Sequence, residues 1–300
     1  MTVLARVRRT AVVLLALLLG APVAAAAEDV LQRIAASRRV VVGARDGAVP
    51  MSYVLADGRH VGFHVDLCAR IVEELRRRLE VPELRTAWVP STAGTRLALL
   101  DNRTIDMDCG PNAISPELLQ RAEPSRVTLA FDVAVMAKAD GPVRTAADLD
   151  DRTVALVVGD VAVPRLREFA RDRRLRVREV FGRDHAEALA LLAAGRADAV
   201  AGPLPLMAAQ RALAEDPAQY AMRDIVLGQV QLGLLFRAGD HALRDVADDV
   251  IAKLCRTGEL ARLYDTWYRR PIPGMPGPID VPVAEEARER CGIGHGLPPP

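Results

Sequence analysis

Apolar residues along the chain alternate between short β-branched runs and longer stretches with helical spacing. Residues 39–43 (RVVVG) predict a buried strand that ends in glycine. Between residues 65 and 79 the apolar positions recur every three or four residues, which predicts an amphipathic helix that stops before Pro82. Further predicted elements are a strand at 85–89, a short helix at 96–100 and a strand at 105–109. This alternation of strand and helix favours a parallel α/β sheet.

A second series of elements begins near residue 133. It contains predicted strands at 133–137, 153–158, 176–180 and 199–201, and predicted helices at 164–173 and 185–193. A strand at 231–236 and helices at 243–254 and 260–268 complete the pattern. Prolines and glycines crowd residues 271–282 and prevent regular structure there, so we expect a proline-rich tail at 274–300 with at most a short helix at 283–290.

The first residues have the pattern of an export signal. Three arginines precede an apolar run at 11–19, and residues 24–27 offer a small-residue cleavage site, so we predict a signal peptide at 1–27. The segment carries three of the 40 basic residues and none of the 39 acidic ones, which leaves 37 basic against 39 acidic residues. This balance excludes the basic field that nucleic-acid binding requires. The sequence therefore predicts a soluble protein of the periplasm.

Four cysteines are present, at positions 68, 109, 255 and 291. In an oxidising compartment an even number favours disulfides, and no C-x-x-C spacing indicates a zinc or redox motif. Cys68 lies on the apolar stripe of the first helix, and Cys109 ends a strand which that helix can cover. Of three possible connectivities, we prefer Cys68 with Cys109 and Cys255 with Cys291. No metal site and no cofactor is predicted.

Several ordered segments resemble a known family, the family 3 periplasmic solute-binding proteins. They are residues 43–53 (GARDGAVPMSY), 58–68 (GRHVGFHVDLC), 96–110 (RLALLDNRTIDMDCG), 147–157, 182–197 and 257–273. Within the family the resemblance is to the glutamate/aspartate-binding branch of polar amino-acid ABC transporters. It implies a two-lobed α/β fold of the type II periplasmic binding proteins, with a hinge that closes on the ligand. Lobe 1 would comprise 28–131 and 231–273, and lobe 2 would comprise 132–230.

The resemblance also implies ligand contacts. Arg45, Arg96 and His185 match positions that surround the ligand's side-chain carboxylate in the similar proteins. The chemistry is suitable, because guanidinium groups bind carboxylates in bidentate fashion and a histidine adds a further donor. A solvated surface position is the alternative for each arginine, and a hydrogen bond at a helix start is the alternative for the histidine.

Other positions depart from the family's pattern. Leu118 stands where the family has an arginine for the ligand's α-carboxylate, and Val161 replaces a threonine near a helix start. Pro203 replaces the aspartate that pairs with the α-ammonium group. Losing buried charge partners costs several kcal/mol, so we expect no binding of glutamate in the family's usual way. Substitute contacts are expected from three other polar residues, Asn112, Ser115 or Arg121.

Three functions from different classes follow from these features. The first is the binding component of an ABC transporter, a monomer that captures a small anionic solute, an amino acid or an organic acid, and delivers it to an inner-membrane permease. The second is a diverged relative without a transport role, such as a periplasmic partner of a quinoprotein dehydrogenase. The third is a periplasmic dehydratase on the same fold. We find no pair of carboxylates and no nucleophile with a base, so we predict no catalytic residues and prefer the first function.

Overall fold

The computed structural model describes residues 29–279 and residue 281. The helices are α1 (Val30–Ser37), α2 (Phe63–Arg78), α3 (Arg96–Asp101), α4 (Pro116–Leu119), α5 (Ala162–Arg173), α6 (His185–Ala193), α7 (Leu204–Leu213), α8 (His241–Arg256) and α9 (Glu259–Tyr264). The strands are β1 (Arg39–Ala44), β2 (Gly47–Ala48), β3 (Ser52–Val54), β4 (His60–Val61), β5 (Arg85–Pro90), β6 (Met107–Ala113), β7 (Ala122–Pro124), β8 (Leu129–Lys138), β9 (Arg152–Val157), β10 (Val177–Gly182), β11 (Ala199–Pro203) and β12 (Tyr220–Arg237). The predicted signal peptide, the tail helix at 283–290 and Cys291 lie outside the described residues.

One large sheet runs through the described chain in the strand order β10-β9-β11-β8-β12-β6-β1-β5, and β7 pairs with β12 at the side. We call β6, β1 and β5 the first half-sheet, and β11, β9 and β10 the second half-sheet. Strands are parallel within each half-sheet. Strands β2, β3 and β4 form a separate antiparallel sheet.

The long strands β8 and β12 join the two half-sheets. They pair with each other antiparallel from Leu129↔Leu232 to Lys138↔Tyr220, and the register shifts twice between Arg223 and Gly228. The favoured parallel arrangement is therefore interrupted in the middle of the sheet, because both connecting strands run antiparallel to their neighbours. The chain thus passes between the half-sheets twice.

Helix α2 covers the first half-sheet with its apolar face. Asp66 in its first turn and three arginines in its last turn complement the helix dipole. Its buried residues belong to the main core, which continues through β1, β8 and β12 to α8. The second half-sheet adds a smaller buried cluster against α6. Along the described part of the chain, no helix is long and apolar enough to span a bilayer.

A disulfide joins Cys68 of α2 to Cys109 of β6, which confirms the predicted pairing. The bond ties the covering helix to the strand next to Asp108. Cys255 on α8 is also disulfide-bonded. Its predicted partner Cys291 lies outside the described residues, so that pairing stays a prediction.

Most predicted elements are present, and three differences have physical reasons. The predicted strands at 133–137 and 231–236 are the most apolar parts of the longer strands β8 and β12. Helix α7 was not predicted; it begins with a proline in its first turn, a position that proline fits. The last predicted helix ends in a π-helical turn at Asp265–Arg269.

Removal of the Cys68–Cys109 bond is expected to destabilise the fold. The bond closes a separation of 41 residues, and the Cys68→Ala/Cys109→Ala variant should lose about 2–4 kcal/mol of unfolding free energy. Urea denaturation without reductant measures this loss. An unchanged free energy of unfolding would show that the bond contributes nothing to the stability of the first half-sheet.

Candidate functional site

Both half-sheets direct the carboxyl ends of their parallel strands toward one space. Arg45 follows β1, and Ser91 follows β5, in the first half-sheet; Asp160 follows β9, and His185 follows β10, in the second. These four residues line a cavity of about 270 Å³. The carboxyl edge of a parallel sheet is where ligands of open α/β folds bind. The strand order therefore collects the polar residues at one site.

Arg45 is buried and held by three side chains. Its Nη1 donates to Ser91 Oγ and lies 3.0 Å from Asp108 Oδ2, and its Nη2 donates to Asn112 Oδ1 at 3.2 Å. Asp108 is fully buried and also accepts from Ser91 Oγ at 2.5 Å and Asn112 Nδ2 at 2.9 Å. Burial acts to raise the pKa of Asp108, but the charge of Arg45 and these hydrogen bonds outweigh it and lower that pKa. The ion pair fixes the guanidinium in place.

Two glycines leave room for this ion pair. A Cβ atom on Gly110 would lie 2.4 Å from Arg45 Cζ, and one on Gly43 would lie 2.8 Å from Asp108 Oδ2. Real side chains do not tolerate such distances, so any larger residue would displace the guanidinium or the carboxylate. Glycine at both positions is thus a requirement of the close approach between backbone and charged groups.

His64 supports the same region from α2. Its Nδ1 donates to the Gly110 carbonyl oxygen at 2.9 Å, and its Nε2 lies 2.8 Å from Thr128 Oγ1. Complete burial lowers the pKa of His64 to about 4. The ring is therefore neutral near pH 7, and His64 Nε2 and the Leu232 carbonyl oxygen, 3.0 Å from Thr128 Oγ1, are alternative acceptors for the single hydrogen of the Thr128 hydroxyl.

Arg96 begins α3 and is nine-tenths buried. Its Nη1 makes a long hydrogen bond of 3.5 Å to the Gly159 carbonyl oxygen in the second half-sheet, and its Nε has no partner among the described residues. Burial, followed by the charge of Arg45, lowers the pKa of Arg96 to about 10, so it remains charged near neutral pH. No carboxylate of the described chain lies within ion-pair distance of it.

Asp160 and His185 face each other on the opposite wall. His185 Nε2 lies 3.5 Å from Asp160 Oδ2 and has no hydrogen-bond partner in the described chain. The other carboxylate oxygen, Oδ1, accepts from Ala162 N at 2.8 Å and so caps the start of α5. The two side chains are each about 10% exposed.

The structure brings only some of the sequence-predicted site residues together. Arg45 and His185 line the cavity, and Arg96 lies beside it, whereas Asn112 reaches it indirectly by holding Arg45. Leu118 packs in a separate apolar cluster, and Val161 packs against the main core; neither lines the cavity. Ser115 caps α4, and Arg121 pairs with Asp101 at 3.5 Å, away from the cavity.

Sequence reasoning missed Ser91, Asp108, Asp160 and His64. The signal for the first three was their position, since each lies at or just beyond the carboxyl end of a predicted parallel strand. His64 carried no comparable signal, because its role depends on which carbonyl the packed helix reaches.

The fold and the cavity between two half-sheets define a class of protein, the two-lobed α/β binding proteins of type II. Residues 40–270 match the family described as bacterial extracellular solute-binding proteins, family 3, and the chain belongs to this family. The predicted resemblance and fold class are confirmed. Family members are binding proteins, which confirms the prediction that the chain is not an enzyme.

Relatives with known roles match almost the whole chain. It is 29% identical over 274 residues to the glutamate/aspartate import solute-binding protein of Escherichia coli K12, a match covering 89% of this chain and 91% of the relative. It is 27% identical over 278 residues to the L-glutamate/L-aspartate-binding protein of Pseudomonas aeruginosa, covering 92% of each.

Solved structures share the fold. An ABC uptake transporter substrate-binding protein from Streptococcus pneumoniae with bound histidine superposes with a TM-score of 0.70 at 17% identity, over 81% of this chain and 97% of that one. An ancestral amino acid-binding protein described as a precursor of cyclohexadienyl dehydratase superposes with a TM-score of 0.68 at 23% identity, over 79% and 98%. At these identities the likeness concerns the fold alone.

Replacing Arg45 is expected to destabilise the fold through its partner. Arg45→Met leaves Asp108 as an unpaired buried carboxylate, which should cost about 3–5 kcal/mol of unfolding free energy. Adding Asp108→Asn removes the unpaired charge and should recover part of this loss. The exposed pair Arg59–Asp57 is the matched control, and Arg59→Met should leave the free energy of unfolding nearly unchanged. Equal destabilisation of the single and double variants, measured in urea, would contradict the role of the ion pair.

His64 predicts a pH dependence of stability. Its folded-state pKa of about 4 lies below its usual 6.5, so the unfolded chain binds the extra proton first as pH falls. Stability from this group is complete above about pH 6.5 and declines toward pH 4, by on the order of 3 kcal/mol. Urea denaturation between pH 4.5 and 7 should show a flatter profile for His64→Gln. The same substitution at the exposed His241 should leave the slope unchanged, and parallel wild-type and His64→Gln profiles would refute the assignment.

Proposed function

We propose that the protein is the solute-binding component of an amino-acid ABC uptake system and captures a small carboxylate-bearing solute, an amino acid or an organic acid. It would act in the periplasm after export and deliver the solute to a membrane permease. The observation that carries the proposal is an anchored guanidinium, Arg45, at a cavity wall beside a second buried guanidinium, Arg96, that has no described carboxylate partner.

Arg45 retains unused donors. Its Nη1 donates to Ser91 and Asp108 and its Nη2 to Asn112, while Nε bonds to no described residue. Nε and Nη2 share one edge of the planar guanidinium, and such an edge can bind both oxygens of a carboxylate. Because Asp108 already fixes the group, a ligand would meet a preorganised donor pair.

Arg96 supplies a second buried cation, which forms no ion pair in the described chain. Asp108 compensates Arg45, whereas Arg96 makes only its long hydrogen bond to Gly159. A buried charge without a partner is unfavourable, and a ligand carboxylate nearby would offset that cost. The two arginines together therefore favour one anionic group at this wall.

The volume of the cavity limits the size of the solute that can bind. Its volume of about 270 Å³ lies just below the range of about 300–1,000 Å³ that is typical of sites for drug-sized ligands. A single amino acid or a small organic acid suits this space. The glutamate and aspartate roles of the relatives support a solute of that size.

Capture requires two parts that can move. We propose that the half-sheets are the two lobes and that β8 and β12 form the hinge, whose register shifts between Arg223 and Gly228 offer irregular backbone for bending. Contacts across the cleft support a closed form: Arg96 reaches Gly159, and a Cβ on Gly159 would lie 2.7 Å from the Ala93 carbonyl oxygen.

Substitution of Arg96 should separate binding from stability. Arg96→Met removes an unpartnered buried charge, so its melting temperature should equal or exceed that of the wild type. Loss of the charge-assisted contact should weaken binding of the best carboxylate ligand about 10-fold to 100-fold. Calorimetric titration with the twenty L-amino acids and a set of small organic acids measures the affinities.

Arg85→Met is the control, since Arg85 is exposed at the start of β5, away from the cavity, and it should bind like the wild type. Unchanged carboxylate binding in Arg96→Met would argue against the assigned role of Arg96. Failure of every amino acid and organic acid to bind the wild type would overturn the proposed function.

A further inference from the structure

We propose that Asp160 and His185 form a subsite for an ammonium group of the bound solute, at the wall opposite Arg45. The inference rests on the solute capture proposed above and narrows the solute to amino acids over amine-free acids. It differs from the expectation from sequence, where replacement of the family's ammonium-binding aspartate by Pro203 suggested that the amino group had lost its partner.

Asp160 places a negative charge where an anion would otherwise bind. It precedes α5, a helix of 12 residues, and its Oδ1 accepts from the backbone N–H of Ala162 at 2.8 Å. The N-terminus of a helix attracts anions, because its free N–H groups and its dipole favour negative charge. Since the protein's own carboxylate occupies this position, a ligand carboxylate is excluded from it.

The second oxygen of Asp160 faces an unsatisfied histidine nitrogen. His185 is 8% exposed, and its Nε2 has no hydrogen-bond partner among the described residues. The distance of 3.5 Å between Nε2 and Asp160 Oδ2 exceeds that of a normal hydrogen bond. An ammonium group carries several N–H donors, so it can donate to the Asp160 carboxylate and, where Nε2 carries no hydrogen, to this nitrogen at once.

The ring of His185 is held in this position. It lies against Gly202 in β11, where a Cβ atom would be 3.3 Å from both Cδ2 and Nε2. The ring therefore packs against β11 on one side, and His185 also lines the cavity.

The charges around the cavity favour a zwitterion. Arg45 and Asp160 line the cavity, and behind Arg45 lie the buried Asp108 and Arg96, so these four charges balance; the exposed Arg183 lines the cavity as well. An amino acid with a neutral side chain preserves this balance, whereas a dicarboxylate adds uncompensated negative charge beside Asp160. Two exposed carboxylates, Asp46 and Asp184, also line the cavity.

The test compares matched ligands that differ only in the amino group. The wild-type protein, freed of co-purified solute, is titrated calorimetrically with the twenty L-amino acids. The tightest binder is then compared with the 2-hydroxy acid that has the same side chain. We expect the hydroxy acid to bind about 30-fold more weakly or worse, because it leaves the charged pair without its donor.

Asp160→Asn tests the residue itself. Asparagine can still cap α5, so the fold is retained, and the preference for the amino acid should fall below about 5-fold since the interaction with a charged acceptor is lost. Asp216→Asn is the matched control: Asp216 is exposed and accepts from Ala218 N at 3.1 Å in the same local geometry. This variant should keep the wild-type preference.

The outcomes distinguish the two proposals. Equal binding of the amino acid and its hydroxy analogue, an undiminished preference in Asp160→Asn, or binding of amine-free acids alone would overturn the ammonium subsite and leave solute capture intact. Failure of both ligand classes to bind would overturn the proposed function and the subsite with it.

Discussion

The buried ion pair between Arg45 and Asp108 is the interaction on which the site depends. Asp108 lies opposite Gly43 near the carboxyl end of β1, so the ion pair requires that β1 and β6 lie side by side in this register. It also requires glycine at positions 43 and 110, since larger residues would occupy the space of the charged groups. The disulfide at Cys109 and the His64 bond to Gly110 fasten the same short stretch of β6 to α2. The result is a rigid wall in which one guanidinium edge remains for a ligand.

The opposite wall of the cavity is formed by residues at the carboxyl ends of parallel strands in the second half-sheet. Asp160 and His185 also follow parallel strands, and each lies at the start of a helix. The two walls differ in how their charges are satisfied. The charge of Arg45 is compensated by Asp108, whereas His185 and Arg96 keep buried nitrogens without a hydrogen-bond partner in the described chain. Selectivity in a cavity of this kind depends on which polar groups the protein leaves without a hydrogen-bond partner. A ligand analogue that cannot bond to these groups keeps them buried and unpaired, which lowers its affinity.

Much of the fold could be predicted from the sequence, and less of the site. Local apolar periodicity identified β1, α2 and α8, because each buries one regular face. The full length of β12 could not be predicted, since its first half is partly exposed and its pairing with β8 is a long-range contact. The resemblance to the family indicated Arg45 and His185, which do line the cavity. It also drew attention to Leu118 and Val161, which pack in apolar clusters. Asp160 escaped notice because its role depends on which helix start and which ring lie next to it in space.

Because the chain passes between the half-sheets twice, the second half-sheet is formed by one continuous segment of the chain. Lys138 and Tyr220 are partners in neighbouring strands. The segment between them leaves and rejoins the pair of connecting strands β8 and β12, so it behaves as an insertion whose ends meet and can be exchanged without changing the path of the rest of the chain. Asp160 and His185 both lie within it, whereas Arg45 and Arg96 lie outside. Replacement of this one continuous segment would therefore exchange one wall of the cavity while the wall that carries Arg45 stayed constant, a simple route for relatives on this scaffold to diverge in what they bind.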